Sequence, residues 1–207
     1  MNVVVDNGRG EIVEKKSRFI AHVFSIKTED EATTIINQIK KKYWDARHNC
    51  FAYVIGDKGE IQRFSDDGEP QGTAGKPILE VITSRDLTNV LVVVTRYFGG
   101  VLLGTGGLVR AYQGATIEGL ANATLGEIID GLTANIEFEY TNLGKIQYIC
   151  EADNIQIDET NYTEKVHMAL TIEKEKIDGF VHKLQNEFSG EIQLEDIKEK
   201  KICKKIK

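Results

Sequence analysis

Three stretches of this sequence gather residue types that do chemistry. The first is TRYFGGVLLGTGGLVRAY, residues 95–112. Arg96, Tyr97 and Phe98 close an apolar run, then Gly99, Gly100, Gly104, Gly106 and Gly107 turn the chain into a helical pattern. Free backbone N–H groups at a helix start bind anions, and glycine lets a phosphate approach closely. Thr105 lies in the same turn, and Arg96 and Arg110 add positive charge. This is not a dinucleotide fingerprint, because GTGGLV has Val109 where the last glycine belongs. The glycines equally suit tight turns and close helix–sheet packing, so both readings stand at this point.

The second stretch is FSDDGEPQGTAGKP, residues 64–77, with Asp66, Asp67 and Glu69 inside four positions. Such carboxylates can hold a divalent ion or supply a general base. It is not a P-loop, because Pro70 and Pro77 stand where glycine and Ser/Thr are needed. It is not an EF-hand, lacking the alternating acids and the distal Glu. The other reading is a solvated loop in which Asp66 caps a turn and Glu69 fixes Pro70. A ten-residue loop is nonetheless long enough to suggest function.

The third is DARHNC, residues 45–50. A cysteine near a histidine suggests nucleophile and base. Cys50, however, opens an apolar run, where cysteine behaves as a small core residue. His48 is expected as a hydrogen-bonding residue of a surface cleft. Tyr43 and Trp44 with Arg47 make either an aromatic platform for a base or a cap on the core. His22, His167 and His182 are isolated and no H-x-x-x-H pair occurs, so neither a metal nor another cofactor is expected.

Charge narrows the location of an anion site. The chain of 207 residues carries a net charge of −6, with 28% charged and 41% hydrophobic residues, an ordinary globular balance. All seven arginines lie within residues 1–130, which net −2. Residues 131–197 net −9, and the last ten, KEKKICKKIK, net +5. Arginine is the better bidentate phosphate ligand, so an anion site belongs in the first part. Two prolines exclude a Pro-rich spacer, and three scattered cysteines exclude a disulfide scaffold. No apolar run approaches the roughly 20 residues of a membrane span, and the N-terminus lacks the features of a signal peptide. The expectation is a cytoplasmic protein with no membrane partner.

The elements that must position these residues follow from periodicity. Residues 11–26 predict one long strand or two short ones. Thr28 and Glu31 make a capping box for a helix carrying Ala32, Ile35, Ile36, Ile39 and Tyr43. CFAYVI predicts a strand buried on both faces, turned by GDKG into EIQRFS. Pro77 begins a helix, PILEVITSR, and residues 89–95 predict another buried strand. Residues 124–132 read as a boundary. Beyond it, strands at 133–140, Ile155/Ile157 and 166–172 and helices from Asn142 and Ile177 lead to a last strand at Ile192 and Leu194. The order βαββαβ predicts a ferredoxin-like unit, in an α+β chain of three parts: 1–130, 131–197 and a basic tail, 198–207.

Taken in order, DARHNCFAY, FSDDGEPQGTAGKP and RYFGGVLLGTGGLVRAY, with KKSRFIA at 15–21, resemble the YigZ/IMPACT family. The resemblance covers essentially the whole chain and implies the bacterial, two-domain type. It implies a first domain folded like a small-subunit ribosomal protein domain, GHMP kinases and domain IV of elongation factor G, and a second like that factor's last domain. Those likenesses imply binding to RNA or the ribosome, and a possible protein partner in translation control. In eukaryotic members a partner-binding domain precedes the shared one. Here about ten residues do, so that kinase-pathway partner is not carried over. No catalytic residues transfer. The motifs mark Asp45, His48, Asp66, Asp67, Glu69, Arg96, Gly99, Gly100, Gly104, Gly106 and Gly107 as a shared binding site, with Tyr97, Phe98, Thr105 and Arg110 beside it. The expected function is phosphate recognition in translational control. The alternatives are a metal-assisted enzyme of small phosphorylated metabolites and a protein–protein adaptor.

Overall fold

The computed structural model describes residues 1–206. The chain divides into two compact α+β units, Met1–Glu127 together with residues 205–206, and Ile128–Lys204.

The first unit is built on an antiparallel sheet of β2 (Gly8–Glu14), β3 (Ser17–Ser25), β4 (His48–Ile55), β5 (Ile61–Ser65) and β6 (Val90–Tyr97), in the order β2-β3-β6-β4-β5. The strand-rich run at 11–26 is thus two strands. The central strand explains its own composition. Val90, Val92 and Val94 face a core shared with α2 (Gly75–Ser84) and α3 (Gly104–Ala121), while Leu91 and Val93 face α1 (Glu29–Lys42). A strand covered on both faces reads as continuously apolar.

Local signals start and orient α1. The Thr28 side chain accepts from Glu31 N at 3.2 Å, acids fill the first turn and Lys40, Lys41 and Lys42 the last, complementing the helix dipole. Ala32, Ile36 and Ile39 then pack against the sheet. A short strand, β1 (Asn2–Asp6), pairs antiparallel with the first residues of β7 (Thr124–Phe138).

In the second unit the rest of β7 pairs with β9 (Val166–Glu173), which pairs with β8 (Gln156–Tyr162). β10 (Glu195–Ile206) lies on the other side of β7. Helices α4 (Leu143–Ala152) and α5 (Ile177–Glu187) bury Ile146, Ile149, Phe180 and Leu184 against Ala134, Ile136, Met168 and Leu170.

Three expectations change here. The strand expected at 133–140 begins at Thr124, because β1 supplies backbone partners to a stretch with little alternation of its own. Asn142 makes no side-chain cap; a 3-10 turn, Tyr140–Asn142, leads into α4 instead. The last strand is Glu195–Ile206 rather than the segment around Ile192 and Leu194, so most of the run expected as a tail is paired backbone. Ile192 is buried in the core outside any strand. Strand pairing needs only backbone groups, and the lysines of β10 find acids nearby, Lys201 with Asp130 and Lys204 with Glu173 at 2.8 Å. Lys207 lies outside the described residues.

Candidate functional site

The β4–β6 register sets the site. His48 stands opposite Arg96, so both side chains leave one face of the sheet near its end. The chain then leaves β6 through Phe98, Gly99 and Gly100 and returns as α3. Gly99 passes so close to β3 that a Cβ there would lie 2.0 Å from the carbonyl carbon of Lys16. Gly104 opens the helix with φ +71, a conformation that favours glycine. The residue before it, Leu103, makes no side-chain cap bond, so the first N–H groups of an 18-residue helix have no side-chain acceptor from their cap. Gly104, Thr105 and Gly106 are exposed there.

The acidic loop arrives from the other side, and each carboxylate is committed within the fold. Asp66 accepts from Gly72 N at 2.8 Å, Ala74 N at 3.0 Å and Gly75 N at 2.8 Å. This caps α2 and explains why that helix starts at Gly75 rather than at Pro77. Asp67 accepts from Lys40 Nζ and Asn49 N, each at 2.7 Å. Glu69 is buried and accepts from Arg96 Nη1 at 2.7 Å and Tyr112 Oη at 2.8 Å. Among the described residues no group of three or more His, Cys, Asp and Glu side chains is placed to hold a metal ion.

Cys50 is buried, with Sγ donating toward Asp66 O at 2.9 Å and lying 3.3 Å from Tyr112 Oη. Burial pushes its thiol pKa well above the ordinary range, so it stays protonated and is a core residue rather than a nucleophile. Burial raises the Tyr112 phenol too, keeping it a donor to Glu69.

The Glu69–Arg96 pair ties the acidic loop to the glycine-rich segment, and a recess of about 440 Å³ lies beside it. Its lining is Arg47, His48, Glu69, Pro70, Arg96, Phe98, Leu102, Leu103, Gly104, Thr105 and Leu108. Of the residues singled out from sequence, His48, Glu69, Arg96, Phe98, Gly104 and Thr105 therefore meet at one place. Asp66 and Asp67 lie outside its lining and hold the acidic loop in place. Asp45 is exposed and accepts from Tyr97 Oη at 2.8 Å, outside the recess lining. Gly99 and Gly100 form the turn, and Gly107 and Arg110 line a separate hollow of about 210 Å³ with Glu14 and Lys15. Trp44 is 82% exposed and does not cap the core, whereas Tyr43 packs against it.

Sequence reasoning passed over Pro70, Leu102, Leu103 and Leu108 as site residues, and read Arg47 only as part of a platform with Tyr43 and Trp44. Arg47 sits inside the quoted DARHNC, and its exposure at the rim was its only missing credential. The leucines carried no signal, since apolar residues before a helix read as packing.

Residues 15–120 match the Impact N-terminal domain, and residues 136–191 match a domain of unknown function, DUF1949. The chain is 44% identical over 177 residues to the IMPACT family member YvyE of Bacillus subtilis, covering 86% of this chain and 82% of that protein. The chain belongs to the IMPACT family. It is likewise 35% identical over 187 residues to the family member YigZ of Escherichia coli, covering 89% and 92%. A crystal structure of a hypothetical protein matches with a TM-score of 0.59 at 32% identity, covering 95% of this chain and 97% of that one. The recess thus lies in the portion that defines the family, since every residue lining it falls within 15–120.

Proposed function

We propose that this IMPACT-family chain is a cytoplasmic binding protein in the regulation of translation, and that it recognises a phosphate group of RNA in the recess at the start of α3. The observation that carries this is the uncapped, glycine-rich beginning of an 18-residue helix, opening onto a recess rimmed by Arg47 and His48. Backbone N–H groups there take phosphate oxygens, and the helix dipole favours the charge. Arg47, exposed, brings the free positive charge. Arg96 instead holds the wall, because Glu69 already offsets its charge.

The link to translation comes from the family resemblance, which implies RNA, the ribosome or a protein of translational control as partner. The fold is consistent with it. The βαββαβ order of the second unit, with β7 between β9 and β10, suits the ferredoxin-like reading. Among the described residues no helix is long and apolar enough to cross a membrane.

Fluorescence anisotropy with a short single-stranded RNA across a potassium chloride series tests the reading. Arg47→Ala is expected to weaken binding on every sequence alike and to lower the salt slope by about one. An unchanged slope and affinity would remove the phosphate role from this recess.

A further inference from the structure

We propose that the recess receives one whole nucleotide, with its phosphate at the start of α3 and its base against Phe98. This rests on the phosphate reading above and adds the body of the ligand. On the anionic side, the helix start is joined by a second feature. The Arg96 side chain is only 7% exposed, its Nη1 is given to Glu69, and its Nε has no hydrogen-bond partner. A buried donor without an acceptor is rare in a folded protein, and this one belongs to a side chain that lines the recess.

The other side of the recess is apolar, and a bare phosphate ion would leave it unused. Phe98 is 44% exposed and Leu102 82% exposed, with Leu103 and Pro70 beside them. Side chains this apolar and this open at a recess mouth ask for a ligand surface to cover them. The Arg96 guanidinium stands 5.5 Å from the Phe98 ring centroid, so a cation already steadies that ring while the rest of it faces outward. A flat base laid on the ring is the match, since any base offers a π-face for stacking. His48 supplies polarity between the two ends. Its Nδ1 donates to Asp67 O at 2.9 Å, which leaves Nε2 as the ring's other polar atom for a ribose hydroxyl or a base edge. The volume, about 440 Å³, falls within the roughly 300–1,000 Å³ of small-molecule sites.

Isothermal titration calorimetry on the full chain tests this with AMP, adenosine and inorganic phosphate as separate probes. AMP is expected to bind at least about tenfold more tightly than either half alone. Phe98→Ala, at an exposed position, is expected to bring AMP down to the level of phosphate, a loss of about tenfold or more. Equal binding of AMP and phosphate would overturn the proposal, and so would an AMP affinity that Phe98→Ala leaves unchanged. If AMP fails while RNA binding still depends on Arg47, the nucleotide proposal falls and the phosphate reading stands. If both fail, both readings fall. A 5′-phosphorylated oligonucleotide that displaces AMP, when its 5′-hydroxyl form does not, identifies a strand end as the natural source. AMP binding without such displacement identifies a free nucleotide, and the proposal holds in either case.

Discussion

At the scale of single residues, the site is governed by one buried ion pair and its neighbours. Glu69 takes a bond from Arg96 and another from Tyr112, beside the protonated Cys50. A buried pair adds little over apolar residues of equal volume, but half a pair is costly, because a charge is left without its partner. Glu69→Ala is therefore expected to lower stability by about 3–5 kcal/mol in urea denaturation. Glu69→Leu with Arg96→Met is expected to lose much less. Equal losses in the two variants would show that packing, rather than the lone charge, sets the effect. A second residue gives a pH signature. His22 is buried beside Tyr43, their polar atoms 2.8 Å apart, and burial lowers its pKa to about 4, helped by the charges of Lys42 and Arg9. The folded state thus favours the neutral ring, while the unfolded chain takes up a proton near pH 6.5. Between pH 6.5 and 4 the unfolded state holds more protons, so stability falls as pH drops through that window. His22→Gln should flatten the fall between pH 6.5 and 4.5 in denaturation midpoints, and an unaltered slope would assign it to other groups.

At the scale of elements, loops are held by backbone N–H groups meeting side-chain acceptors. Asp66 gathers three such groups where the acidic loop becomes α2. Asp66→Ala strips all three of their acceptor and is expected to cost about 2 kcal/mol or more, read as a shift of the urea midpoint. A shift within experimental scatter would mean that water or the loop itself satisfies those groups. This residue also shows where sequence reading reaches its limit. The sequence allowed Asp66 to be an ion ligand or a turn cap, and only the path of the chain back toward it shows a cap, and that the element it caps is α2. Helix α1 was legible because its capping box and apolar repeat are local. Strands β4 and β6 were legible because burial on both faces leaves a continuous apolar run. Strand β10 was not. Its pairing uses backbone groups alone, while its side chains, mostly lysine and glutamate, read as a solvated tail.

At the scale of the whole molecule, family membership and the recess point the same way. The motifs that carried the resemblance are the segments that build the recess, and its polar and glycine residues were visible in them. What the sequence left hidden was which charges remain free. Arg96 looked like the anion ligand, yet Glu69 has claimed one of its nitrogens, and the exposed arginine at the rim is Arg47. A net charge of −6 makes broad attraction to RNA weak, so the proposed recognition has to be local and made by few contacts. The most direct test of that central claim is a titration of the 15N-labelled full chain with a short single-stranded RNA, followed by amide chemical shifts. The account predicts that the amides of Gly104, Thr105 and Gly106 move first and furthest, together with those of Arg47 and His48. Shifts that leave these five unmoved while others respond would contradict it.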